Sequence, residues 1–173
     1  MPRRSLTDRR FTDSARTIIE QAPCRASDRG LHSVDAASYV MLLLWTLVRW
    51  ERKPGLIALI TIGVDLDRLC YDLDQSLTRK AEENPIAIDR RSGKAVFQKT
   101  GEPYVGWDYD SITEPVLDQA EQEAREMGHD YIGSEHLLLA IIKTADPELK
   151  RSLDDHLITF EDIKETILEF LGS

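Results

Sequence analysis

The sequence predicts an all-α fold, two copies of one four-helix unit joined by a segment that carries a small β-hairpin. Two observations predict it. Apolar residues recur at steps of three and four along most of the 173 residues, the period of helices that bury one face. The chain also matches itself. A shift of 98 places Ile18 on Val116, Ile19 on Leu117, Ala22 on Ala120, Ala26 on Ala124, Gly30 on Gly128, Leu43 on Ile141 and Leu44 on Ile142. Beyond Leu44 the shift becomes 94, because the first copy is longer near Arg49–Pro54; Val64 then meets Ile158, Leu66 meets Phe160 and Leu69 meets Ile163. Self-similarity of this kind defines the architecture before any motif does. A unit of about 65–70 residues is small for a core of its own, so the copies are expected to share one core in a pseudo-twofold body.

Residues 1–10 read as a solvated basic tail. Its Arg3-Arg4 superficially resembles a twin-arginine signal, but Asp8, Arg9, Arg10 and Asp13 stand where the apolar stretch would be. The first copy covers 11–83. In its first helix Pro23 lacks an amide donor and is expected to kink the helix or break it before Cys24. The run Tyr39–Val48, interrupted by Thr46, predicts a buried core helix; it reaches about half of the roughly 20 residues a bilayer requires. Trp45 and Trp50 read as core and rim aromatics. Asp65 starts a helix whose Leu66, Leu69, Cys70, Leu73 and Leu77 share a face.

The connecting segment, 84–109, changes character, with Pro85, Gly93, Gly101, Pro103 and Gly106. Ile86-Ala87-Ile88 and Ala95-Val96-Phe97 flank the turn Arg91-Ser92-Gly93-Lys94 and read as a hairpin. Two strands alone are marginal in water, so a helical neighbour is expected beneath Phe97, Tyr104 and Trp107. The second copy covers 110–173. Asp110 or Ser111 is expected to cap its first helix, which Gly128 ends; Ile112, Val116, Ala120 and Ala124 face inward, while Asp118, Glu121, Glu123 and Glu126 make the other face acidic. Thr159 caps a last helix with Phe160, Ile163, Ile167 and Leu171 on one side, stopping at Gly172.

Charge separates the copies. The chain has 31 acidic and 22 basic residues, net −9, and residues 101–173 hold 18 of the acids against 5 bases. Such a chain is poorly suited to phosphate backbones, and the short run Arg49-Trp50-Glu51-Arg52-Lys53 reads as a solvated helix end. No nucleic-acid or membrane partner is expected. Cys24 and Cys70 have no Cys-x-x-Cys spacing and predict reduced thiols in a cytoplasmic protein.

The stretch Ala124-Arg125-Glu126-Met127-Gly128-His129-Asp130-Tyr131-Ile132-Gly133-Ser134-Glu135-His136-Leu137-Leu138-Leu139-Ala140-Ile141 closely resembles the helix–turn–helix phrase of the Clp N-terminal repeat, which occurs twice at the head of ClpA-, ClpC- and ClpB-type unfoldases. Phe11-Thr12-Asp13-Ser14-Ala15-Arg16 resembles the opening of that repeat, and Gly63-Val64-Asp65-Leu66-Asp67-Arg68-Leu69 the start of its fourth helix. In physical terms Gly128 closes one helix, Gly133-Ser134 turns and caps the next, and Glu135 sits in a first turn whose dipole favours a carboxylate. That alone accounts for Glu135 as local structure. The resemblance further implies an exposed carboxylate beside helix N-terminal amides, positioned to take an arginine guanidinium with a nearby phosphate, since N-domains of the ClpC type bind phosphorylated arginine through the matching Glu. Ser134, Glu135 and His136, with Asp110 and Ser111, are therefore the candidate binding residues. The first copy departs from the pattern: Asp35, Ala37 and Ser38 replace Gly133, Glu135 and His136, so it reads as retained for packing.

Other chemistries lack a constellation. Gly93-Lys94 is followed by Ala95 and does not complete a Walker A loop, so the family's motor is absent from this sequence and no nucleotide cofactor is expected. His129, Glu135 and His136 lie across a turn without a His-Glu-x-x-His spacing, which predicts structural hydrogen bonds and no metal. Ser134, Glu135 and His136 are adjacent on a helix and point apart, so they make no catalytic triad. The expected protein is a non-enzymatic, stand-alone adaptor, regulator or substrate-recognition component of a Clp-type protease, with Clp subunits or client proteins as partners. The alternative is a domain that reads basic or arginine-phosphorylated segments without the protease.

Overall fold

A computed structural model describes residues 9–32, 34–49, 54–83, 85–104, 106 and 108–171. Four helices, α1 (Asp13–Asp28), α2 (Ala36–Arg49), α3 (Pro54–Thr61) and α4 (Leu66–Glu83), precede the strands β1 (Ile86–Ile88) and β2 (Ala95–Phe97). Four more follow: α5 (Tyr109–Glu126), α6 (Ser134–Thr144), α7 (Pro147–Asp155) and α8 (Phe160–Leu171). The predicted all-α duplication is therefore present, with the hairpin between its halves. Caps fall where short polar side chains precede apolar periodicity: Thr12, Asp65, Asp146 and Thr159 each accept a backbone N–H from the first turn of the following helix.

One apolar cluster draws on both halves, from Ile18, Leu43 and Leu69 to Leu117, Leu138 and Ile163. The helices meet reciprocally. α1 packs on α6 as α2 packs on α5, and α3 on α8 as α4 on α7, with α2 against α6 at the centre. This is the pairing that a twofold relation between like units demands. α3 also lies on α6, so closely that a Cβ at Gly55 would stand 2.8 Å from the Ser134 carbonyl oxygen. The left-handed position that Gly63 fills after α3 is held after α7 by Leu157, with φ 55°.

Several expectations are corrected. Pro23 does not break α1, which continues to Asp28. The carbonyl that Pro23 leaves without an intrahelical donor, Ile19 O, accepts from the Tyr109 hydroxyl at 3.5 Å. α5 is capped by Asp108, which accepts from Ser111 N–H; Asp110 and Ser111 are already inside its first turn. Glu123 does not belong to an acidic surface. It is fully buried, accepting from Lys143 Nζ at 2.5 Å and Gln119 Nε2 at 2.8 Å. Arg9 is not solvated tail either: its side chain is buried and donates to Asp118 at 2.5 Å. The backbone beside it joins the second repeat, with Ile132 N–H donating to Arg10 O and Thr12 N–H to Ile132 O. The hairpin pairs Ile86 with Phe97 and Ile88 with Ala95. Among the described residues Tyr104, edge-on to Phe97, ties the hairpin segment to the loop after α1, donating its hydroxyl to His32 O at 2.6 Å. Residues 1–8, Trp50 with its charged neighbours 51–53, Trp107 and Gly172 lie outside the described residues.

Candidate functional site

The turn between α5 and α6 is built from its glycines outward. Gly128, at φ 74°, closes α5, and His129 N–H returns to Ala124 O at 2.8 Å. Gly133 is the extended N-cap of α6 and has no side chain to cap with. His136, at the third helical position, supplies the reciprocal half of a capping box, its Nδ1 accepting the Gly133 N–H at 2.9 Å. Because Nδ1 accepts, the proton of the neutral ring sits on Nε2, which faces His129 Nδ1 at 2.9 Å. Burial, and secondarily His129, push the His136 pKa down to about 4. His129 stacks on Tyr131 with centroids 5.0 Å apart. Both His136 nitrogens are thereby engaged in hydrogen bonds, the structural role expected of them.

Glu135 is where the expected geometry changes. Its carboxylate is not exposed: the residue is 2% accessible. The side chain folds back over Gly133, and a Cβ there would lie 2.3 Å from both carboxylate oxygens. Glycine at 133 thus makes room for the acid two residues later. Burial raises the Glu135 pKa, against the opposing pull of its own backbone N–H, of His129 and of the Ser134 hydroxyl. His136 Nδ1 stands 3.6 Å from Glu135 Oε1, but a neutral ring that accepts at Nδ1 forms no ion pair. Ser134 does not cap α6. Its oxygen accepts the Gly55 N–H of α3 at 3.2 Å, tying the turn to the other repeat. Beside the turn a cavity of about 220 Å³ is lined by Arg9, Glu121, His129, Asp130 and Tyr131 among others.

The structure groups Ser134, Glu135 and His136 and leaves Asp110 and Ser111 apart. Those two begin α5, whose far end adjoins the turn, and a helix of this length separates its ends by about 25 Å. Sequence reasoning missed Gly55 and Arg9, which reach the second repeat from 79 and 109 positions away; nothing local in either segment signals the contact. The first repeat caps α2 differently, with the Asp35 carboxylate accepting Ser38 N–H at 2.7 Å. Burial works to raise the Asp35 pKa, yet its bonds from Ser38 and the charge of Lys80 prevail and lower it. The turn of the second repeat thus buries a carboxylate in the first turn of a helix, where the N-terminal amides favour its charge.

Two like four-helix units on one core, with a conspicuous turn in only one of them, define a duplicated helical repeat domain. Residues 10–156 match the family model described as the Clp repeat (R) N-terminal domain, and the chain belongs to that family. Over 164 residues, 95% of this chain, it is 29% identical to the chaperone protein ClpB of Oceanobacillus iheyensis and 31% identical to the negative regulator of genetic competence ClpC/MecB of Bacillus subtilis. The match takes in 17% of each relative's length. In fold it is similar to the Hsp104 N-terminal domain of Candida albicans, with TM-score 0.63 and 16% identity over 95% of this chain and 93% of that one. The N-terminal domain of ClpD from Arabidopsis thaliana gives TM-score 0.58 and 20% identity, covering 95% and 96%. Among the described residues no helix is long and apolar enough to cross a membrane.

Proposed function

We propose that this chain acts as a non-enzymatic recognition module of a Clp-type ATP-dependent protease, as an adaptor, regulator or substrate-recognition component, and that Glu135 receives the guanidinium of an arginine-phosphorylated segment. The observation that carries the reading is the Gly133–His136 turn, where a carboxylate is desolvated at a helix N-terminus in the repeat that keeps the full family phrase. Burial without a cation disfavours the ionised acid, and an incoming guanidinium offsets that cost once the side chain swings off Gly133. The phosphoryl group then meets the α6 amides. Ser134 and His136 position the turn. Asp110 and Ser111, at the other end of α5, stand outside this proposed site.

Calorimetry with a phosphoarginine peptide and its unmodified counterpart tests the site. The modified peptide is expected to bind, and Glu135→Ala to weaken it by about tenfold or more, the worth of a charge-assisted contact. Binding indifferent to that substitution, or none at all, rejects the site. Affinity capture from the native host is expected to recover a Clp ATPase or protease subunit, and repeated capture without one rejects the protease connection.

A further inference from the structure

The second candidate site lies on the first repeat, away from the Glu135 turn. A cavity of about 460 Å³ is lined by Arg25, Arg29, Trp45, Thr46 and Arg49. Arg25 and Arg29 come from the end of α1 and Arg49 is the last residue of α2. The Arg29 and Arg49 guanidiniums lie over the Trp45 ring, 4.2 and 4.6 Å from its centroid. Trp45 is 6% accessible, and its indole Nε1, a donor with no acceptor function, is buried with no hydrogen-bond partner among the described residues. A buried indole N–H normally finds an acceptor. The Thr46 hydroxyl donates to Leu42 O at 2.7 Å within its own helix and makes no hydrogen bond to the indole.

Two of the three guanidiniums have a carboxylate partner. Arg25 is 3.8 Å from Asp28, and Arg29 is paired with Asp74. Among the described residues Arg49 has no carboxylate within ion-pair distance, and its guanidinium is held only over the Trp45 ring. The cluster's neutral polar group, the indole, is likewise a donor. A cavity walled by forked guanidinium donors and an unsatisfied N–H calls for a ligand that only accepts, and guanidiniums match tetrahedral oxyanions in geometry as well as charge. We infer that this pocket binds a phosphate-type oxyanion, free or carried as a phosphomonoester, with Arg49 and Arg25 as its charge partners and Trp45 Nε1 as a donor at its floor. The arginines stacked over Trp45 move aside to admit it. This reading is independent of Glu135.

The test is an indole N–H titration by nuclear magnetic resonance. The full ¹⁵N-labelled chain is titrated with inorganic phosphate, with ionic strength held constant by sodium chloride and the Trp45 resonance assigned through Trp45→Phe. A saturable shift of that resonance is expected, with affinity reduced about tenfold or more in Arg49→Gln, whose side chain is exposed and whose loss leaves the Arg29–Asp74 pair intact. A parallel titration with phenyl phosphate separates the two sources: tighter binding than phosphate identifies a monoester, and equal or weaker binding identifies the free anion. A Trp45 shift that grows without saturating, or a saturable one unchanged in Arg49→Gln, overturns the proposal.

Discussion

His136 shows how one side chain can carry both a turn and a pH dependence. Its ring accepts the Gly133 N–H only when Nδ1 is unprotonated, and its pKa in the fold is about 4 against an ordinary 6.5. Below pH 6.5 the unfolded chain takes up a proton that the native state refuses, so stability is complete above that value and declines as the pH falls toward 4. The full difference corresponds to about 3 kcal/mol. Glu135 works in the opposite sense: its raised pKa lets the native state bind a proton before the unfolded chain does, so its contribution improves on acidification and partly masks the decline. Urea unfolding at pH 7.5 and 4.5 is expected to show the loss in the native sequence. His136→Asn, which retains an acceptor for Gly133, is expected to flatten it. An equal slope in both proteins assigns the pH dependence elsewhere.

At the scale of elements, the seam between α3 and α6 depends on Gly55. Replacing a helical glycine with alanine ordinarily stabilises by up to about 1 kcal/mol, and by less in the first turn, where Gly55 stands. Here the added methyl meets backbone, the Ser134 carbonyl oxygen at 2.8 Å, which cannot rotate away as a side chain can. Overpacking costs of about 1–3 kcal/mol exceed the propensity gain. Gly55→Ala is therefore expected to lower the melting temperature, and a rise would show that α3 stands off α6 in solution. The helices themselves were legible in the sequence because caps and periodicity are local: Asp65 and Thr159 announce α4 and α8, and Ile86–Ile88 opposite Ala95–Phe97 gives the hairpin register. Where the reading failed, the cause was a partner far along the chain. Pro23 stays helical with Tyr109 supplying a donor from α5, Glu123 is buried because Lys143 and Lys164 reach it from α6 and α8, and the Ser134 hydroxyl accepts from Gly55 instead of capping α6.

For the molecule as a whole, the two repeats are locked by groups that local sequence marks as surface. Arg9 is the clearest: its guanidinium reaches Asp118 at 2.5 Å and Glu121 at 4.0 Å on α5, while the adjoining backbone bridges to Ile132. Asp118 is 60% exposed, so it rehydrates readily when the arginine is removed. Arg9→Ala is accordingly expected to cost about 1–2 kcal/mol, below the range for an acid stranded in the interior. Arg9→Met is expected to recover part of that through the packing of its stem. Equilibrium urea midpoints of the three proteins decide the matter, and no loss in Arg9→Ala would leave the backbone bridge as the tie. The duplication itself was readable because apolar positions coincide at shifts of 98 and 94. The candidate binding turn was readable as a phrase but not as a geometry, since nothing in Gly133-Ser134-Glu135 reveals that the acid folds inward.

The contact between Gly55 and Ser134 also orders events during synthesis. The amide of α3 finds its acceptor 79 positions downstream. At roughly 5–20 residues per second, the ribosome adds that stretch in about 4–16 s. Through that interval the nascent first repeat carries an α3 whose seat on α6 and α8 does not yet exist. Its half-exposed Ile57 and Ile60 then face solvent together with the side of Leu56 that the finished protein conceals. The first repeat thus completes the burial of its third helix only when the second repeat emerges.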